Sequence, residues 1–152
     1  MAIRQAKDVD FHIVRDITLT TIGTVYPKYY PEGAVQFFCD HHSDERIIDD
    51  IESEKVFLFE AEGAIVGTVT ISGNEINRLF VLPAYQHKGY GRMLMDFAEQ
   101  AIPESFDRIV LDASLPAKSI YLKRGYRATE YHVIETANGD YLCYDVMEKE
   151  RN

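Results

Sequence analysis

Apolar residues recur at helical spacing through the first third of the chain and at strand-like spacing from Lys55 onward. Residues 2–6 form a short first strand. Asp8 or Asp10 can then cap a helix that sets Ile13, Val14, Ile17 and Thr21 on one face, and Pro27 and Pro31 interrupt it. A second helical stretch carries Ala34, Val35 and Phe38. Ser43 can cap a short third helix with Ile47, Ile48 and Ile51 inward. Residues 56–61 and 64–71 read as strands joined at Glu62-Gly63, a tight hairpin signal. A third strand of this group spans 75–81 and ends before Pro83. Residues 89–101 are helical, with Leu94, Phe97, Ala98 and Ala101 on one side, and Pro103 stops them. Residues 109–111 give another strand, and 116–124 a helix closed by Gly125. Strands at 131–134 and 141–147 flank Asn138-Gly139, a strong hairpin dipeptide. The order predicts a mixed α/β sheet rather than a regular doubly wound one.

No repeat, low-complexity tract or linker divides the 152 residues, so one domain over 1–152 is expected. With 46% apolar and 27% charged residues the composition is globular, and the core needs neither metal nor disulfide. The longest apolar runs reach about half a bilayer span, which excludes a membrane helix. Residues 1–5 lack the apolar core of a secretory signal, so a cytoplasmic location is expected. Cys39 and Cys143 fit reduced packing residues. Sixteen basic against twenty-five acidic side chains leave a net charge of −9. That balance disfavours nucleic-acid binding and favours a small cationic ligand.

Chemistry concentrates in residues 79–94. A buried strand runs through a short loop into a helix whose first turn holds Gly89 and Gly91. Free N–H groups at a helix start, backed by the helix dipole, attract anions, and glycine lets a phosphate approach the backbone. Lys88 and Arg92 flank the turn and can add charge-assisted contacts. A phosphate or pyrophosphate is the ligand suggested; a glycine-rich helix start without a ligand is the structural alternative. A Walker loop is excluded because Arg92-Met93 follows Gly91, and a dinucleotide fingerprint because Leu94 stands where its third glycine belongs.

The stretch Gln86-His87-Lys88-Gly89-Tyr90-Gly91 resembles the Arg/Gln-x-x-Gly-x-Gly/Ala signature of the GCN5-related N-acetyltransferase (GNAT) superfamily. Downstream, Ala117-Lys118-Ser119-Ile120-Tyr121-Leu122-Lys123-Arg124-Gly125-Tyr126 is similar to the family's Ala-x-x-x-Tyr-x-x-x-Gly-Phe helix, with Tyr for the final Phe. The element order fits over the whole chain. Ser114 departs from the pattern, since many members carry Asn there. The resemblance implies a mostly antiparallel central sheet flanked by helices and acetyl transfer from acetyl-CoA, with no metal. It implies a pyrophosphate on the backbone of Gln86, His87, Lys88, Gly89, Tyr90, Gly91 and Arg92. It also implies a pantetheine arm beside Leu79, Phe80 and Val81, with Ser114, Ser119 and Tyr121 lining the same cleft.

Acyl transfer to an amine needs a base, an acid for the leaving thiolate and donors for the carbonyl oxygen. The resemblance makes Tyr121 the acid; packing on a helix is its structural alternative. Glu75, at the start of the strand leading to the cofactor, is the candidate base, and the Val81 N–H the oxyanion donor. Tyr26, Tyr29 and Tyr30 can wall an acceptor site suited to a cationic amine, or simply tether a loop. His41 and His42 sit beside Asp40 and Asp44 without ligand spacing, and read as a polar helix connection rather than a metal site. The terminal hairpin leaves both monomer and homodimer open. The expected activity is acetylation of a small-molecule primary amine. The alternatives are a peptide or protein acceptor, a longer acyl chain, or a CoA-binding sensor without turnover.

Overall fold

The computed structural model describes residues 1–151. In chain order its elements are β1 (Ala2–Gln5), α1 (Phe11–Val25), α2 (Glu32–His41), α3 (Asp44–Glu52), β2 (Val56–Ala61), β3 (Ala64–Ser72) and β4 (Glu75–Val81). There follow α4 (Tyr90–Ala101), β5 (Arg108–Ala113), α5 (Leu115–Lys123), β6 (Arg127–Glu135) and β7 (Tyr141–Glu150). Among the described residues these strands form one sheet in the order β1-β2-β3-β4-β5-β7-β6. Every pairing is antiparallel except β4 with β5. That one parallel step needs a crossover, and α4 supplies it. No helix of the described residues is long and apolar enough to cross a membrane.

Tight turns set the register of the first strands. Glu62 (φ 54°) and Gly63 (φ 76°) form a two-residue loop closed by the Ala61–Ala64 pair, the left-handed pair of conformations that a twisted hairpin requires. The helices cover both faces of the sheet. On one, α1 and α2 bury Ile17, Ile22, Tyr26, Ala34, Phe80 and Leu142. On the other, α4 buries Leu94, Met95 and Ala98 against Val66, Ile76, Leu111 and Met147. Each Ile, Leu, Val, Met or Phe among them contributes on the order of 1.5–3 kcal/mol by leaving water.

Several local expectations change. The carboxylate of Asp10 does not cap α1; it accepts from the Lys7 N–H (2.8 Å) and from Arg4 Nη1 and Nη2 (2.8 and 3.0 Å), tying the helix start back to β1. Ile48 and Ala101 face solvent rather than the core. The Asn138-Gly139 turn is a three-residue loop, not a two-residue one, because Thr136 and Asp140 close it through a 2.7 Å bond. Gly139 takes the left-handed position (φ 87°) and the Asn138 side chain accepts from Thr136 Oγ1 (2.8 Å). The strands drawn at 109–111 and 131–134 are longer, because cross-strand pairing with β7 recruits their polar flanks.

β4 is the strand that shapes the molecule for function. Its parallel pairing with β5 is recorded only at Glu75–Val110 and Ile76–Leu111, while β5 pairs with β7 along its whole length. Beyond Ile76 the two strands part. On the other side, Asn77 pairs with Thr70 but Phe80 with Thr68, so Arg78 and Leu79 form a bulge opposite Val69.

Candidate functional site

A cleft of about 550 Å³ fills the gap where β4 leaves β5. Its walls come from α1, α2, β4, the loop before α4, the start of α4, β5, α5, β6 and β7. The sheet opens here because a bulged strand can no longer follow its parallel neighbour.

One end of the cleft is the turn from β4 into α4. His87 (φ 64°) and Gly89 (φ 87°) are both left-handed, and Gly89 is the N-cap of α4. The first bond of the helix runs from Met93 N–H to Gly89 C=O (3.1 Å), leaving the N–H groups of Tyr90, Gly91 and Arg92 without partners inside the helix. A Cβ built on Gly91 meets nothing within 4 Å, and Gly91 lines the cleft, so the space beside this turn is open. The loop is held by Gln86 Nε2, which donates to Val81 C=O (2.9 Å). This concave run of N–H groups fits a phosphate or pyrophosphate.

The flanking cations behave differently from each other. Arg92 lines the cleft. Lys88 does not; its ammonium lies 3.0 and 3.1 Å from the Glu62 carboxylate oxygens, and Tyr90 Oη donates to the same carboxylate (2.8 Å). Those two donors hold the Glu62 carboxyl below its usual range. Sequence reasoning missed Glu62, which anchors the loop to the β2–β3 hairpin.

Along the middle of the cleft runs the free edge of β4, with Leu79, Phe80 and Val81 in its wall. Leu82 N–H donates to Val66 C=O (2.8 Å). The alternation of an antiparallel ladder therefore turns the Val81 N–H and C=O away from β3, toward the gap. An extended amide-bearing chain can pair there as an added strand.

Tyr121 faces this edge from α5. It is buried (8% exposed), and burial raises its pKa far above the ordinary phenol value, so the hydroxyl stays protonated. Its ring packs edge-on to Tyr126 (5.8 Å), whose hydroxyl donates to Glu99 of α4 (2.7 Å). Arg124 donates to Glu99 (2.7 Å) and Asp96 (2.8 Å), so α4 fixes the C-terminal end of α5.

The early tyrosines split into three roles. Tyr26 lines the cleft together with Ser114, and burial raises its pKa against an opposing influence of Ser114. Tyr30 is spent on the backbone, accepting the Leu115 N–H (2.7 Å) and donating to Cys143 C=O (3.2 Å), and burial pushes it to about 12. It caps α5 and does not line the cleft. Tyr29 is exposed and lies outside the cleft. Ser114 is the N-cap of α5 and lines the cleft, whereas Ser119 points to solvent one turn later.

The far end of the cleft holds Glu75, Asp112, His41 and Tyr144. Burial raises the Glu75 pKa and the Asp112 charge raises it further. Asp112 is exposed at the cleft mouth; partial desolvation there raises its pKa against the opposing pull of His41 and His132. His41 closes α2 at the polar connection to α3, exposed to solvent, and also lines the cleft. It stacks under Phe37 in the cleft wall (6.5 Å), and partial desolvation and Arg46 lower its pKa. Ala34, Phe37, Phe38 and His41 share one face of α2, and that spacing is the signal that could have placed it. His42 accepts from Arg78 through Nδ1 (3.3 Å) and is held neutral, its pKa lowered to about 3 by burial and by Arg78.

Comparison with known proteins identifies the fold and the family. An acetyltransferase (GNAT) domain family matches residues 25–147. No curated protein matches the sequence. Among solved structures, a GCN5-related N-acetyltransferase of Rhodopseudomonas palustris superposes with a TM-score of 0.87 at 24% identity, covering 99% of this chain and 95% of that one. PaiA N-acetyltransferase of Thermoplasma acidophilum, solved with coenzyme A, gives 0.73 at 20% identity over 99% and 98%. YncA of Salmonella typhimurium, solved with acetyl-CoA, gives 0.74 at 18% identity over 100% and 94%. At these identities the structures establish a shared fold. The family match covers most of the chain, and with it the glycine turn, the open β4 edge and Tyr121. The chain belongs to the GNAT acetyltransferase family and is an acetyl-CoA-dependent acyltransferase.

Proposed function

We propose that the protein acetylates the primary amine of a small cationic molecule by direct attack within a ternary complex. The observation that carries this reading is the pair of carboxylates, Glu75 and Asp112, in the cleft end remote from the glycine turn. Neither is paired with a cation in the described ion pairs. The aromatic side chains Phe37, Tyr26 and Tyr144 share the wall, and such rings favour an ammonium group.

Acetyl-CoA supplies an activated thioester. The residues that fit it are the N–H groups of Tyr90, Gly91 and Arg92 for the pyrophosphate and the β4 edge at 79–81 for the pantetheine. The Val81 N–H, turned into the gap, serves as donor to the carbonyl oxygen as negative charge builds. Tyr121, protonated at neutral pH, serves as donor to the leaving sulfur. Strand rise sets Glu75 about 13 Å from Leu79 and about 20 Å from Val81, beyond reach of one water, so it accepts the amine's proton only through a chain of cleft waters. With Asp112 it also supplies the counter-charge for a second cationic group on the acceptor.

The test is thiol release from acetyl-CoA with amines matched in length but differing in charge. Diamines should outpace monoamines, and Asp112→Asn should erase that preference. Because Asp112 raises the Glu75 pKa, the same variant should also move the acidic limb of the pH profile to lower pH. Preference for neutral or anionic amines, or for peptide N-termini, would contradict the reading. Binding of CoA without turnover on any amine would favour a sensor.

A further inference from the structure

Arg78 sits where its residue type is least expected. It lies in the middle of a strand, in the bulge of β4, with a left-handed backbone (φ 46°), a conformation that a Cβ disfavours. Its guanidinium is buried, with 5% of the side chain exposed. Every nitrogen has a partner from a different element. Nη2 lies 3.0 Å from Asp50 of α3, Nη1 donates to Thr70 Oγ1 of β3 (3.0 Å), and Nε donates to Nδ1 of His42 beyond α2 (3.3 Å). The His42 ring in turn stands edge-on to Phe80 (5.7 Å), two residues further along β4.

A disfavoured backbone persists only when its surroundings over-determine it. Here the surroundings are three charge-assisted or polar contacts, all made by the side chain of the strained residue itself. We propose that Arg78 is a positioning residue: its side chain locks the β4 bulge and so holds the backbone edge at Leu79, Phe80 and Val81 in register with the cleft. The inference rests on that edge receiving the pantetheine arm. Arg78 also lines the cleft, and the role assigned to it here is exerted on the strand rather than on the acetyl donor.

Glycine and alanine at this position separate the role from general stability. Alanine removes the three contacts and keeps the disfavoured backbone, while glycine removes the same contacts and relieves it. Calorimetric titration of Arg78→Ala, Arg78→Gly and the unaltered protein with CoA, each well below its unfolding temperature, reads the effect. Arg78→Ala should bind CoA at least about tenfold more weakly, and Arg78→Gly should recover much of that loss, since the relieved strain corresponds to about a tenfold factor. The nucleotide half of CoA without its pantetheine arm reports the glycine turn alone, and its affinity should be equal in all three proteins.

If Arg78→Ala does not fold, Asp50→Asn and Arg78→Lys take its place, each expected to weaken CoA and spare the nucleotide fragment. CoA affinity unchanged in the variants, with only the unfolding temperature lowered, would overturn the proposal. So would equal losses for CoA and for its nucleotide half. Failure of the unaltered protein to bind CoA is a separate outcome, since it overturns the cosubstrate reading itself and the inference with it.

Discussion

Gly91→Ala should make the protein more stable and worse at binding its cosubstrate. Gly91 lies in the first turn of α4 with ordinary helical backbone, and a Cβ there meets no atom within 4 Å. The fold should therefore gain about 0.5–1 kcal/mol, because alanine loses less backbone freedom on entering a helix than glycine does. For a chain of this size that is a rise of about 1–4 °C in Tm. The same Cβ enters the open cleft space beside this turn, where it would crowd a phosphate held by the Tyr90, Gly91 and Arg92 N–H groups. Displacing a phosphate from one such charge-assisted bond costs about 1.5–3 kcal/mol, or about 10- to 100-fold in Kd. Thermal unfolding of the free protein and calorimetric titration with CoA read the two effects separately. CoA affinity that stays constant or improves along with Tm would refute the anion site at the α4 start.

Tyr121→Phe keeps the ring packing against Tyr126 and removes only the hydroxyl, so kcat should fall by about 10²-fold or more while the Kd for CoA barely moves. Unchanged turnover on the true acceptor removes Tyr121 from the acid role. Burial pushes the Glu99 pKa up, but the hydrogen bonds from Arg124 and Tyr126 outweigh it and leave the carboxyl below its usual value. A lowered folded pKa contributes stability that is present above the unfolded carboxylate range and is lost as pH falls through the folded value. Glu99→Gln should therefore lower Tm at neutral pH and flatten its decline in acid, measured by thermal melts at stepped pH; parallel curves for both proteins would be the contrary result. A Cβ on Gly33 would overlap Asn138 Oδ1 and come within 2.6 Å of Thr136 Oγ1. Gly33→Ala should cost about 1–3 kcal/mol by overpacking, and an unaltered Tm would show that the β6–β7 loop gives way.

Residues whose role is local were the legible ones. The apolar runs of β2 and β3, the Glu62-Gly63 turn and the glycine start of α4 follow from neighbours in sequence, and the fold shows each of them. What escaped the sequence depends on partners far apart along the chain. Tyr30 caps α5 across 85 positions, and Glu62 reaches Tyr90 across 28. Arg78 gathers groups from α3, β3 and the end of α2, and nothing in local preference predicts an arginine with left-handed backbone inside a strand. Aromatic spacing around Pro27 and Pro31 marks a wall but not which ring faces inward, so Tyr26, Tyr29 and Tyr30 could be separated only in three dimensions.

The account stands most directly on where CoA lies, and amide hydrogen exchange with and without CoA locates it. The Val81 amide, turned to the gap, and the amides of Tyr90, Gly91 and Arg92 at the α4 start should slow strongly, while those of β1 and the exposed strand β6 should not. Protection confined to other surfaces, or none at saturating CoA, would contradict the placement of the donor between β4 and β5.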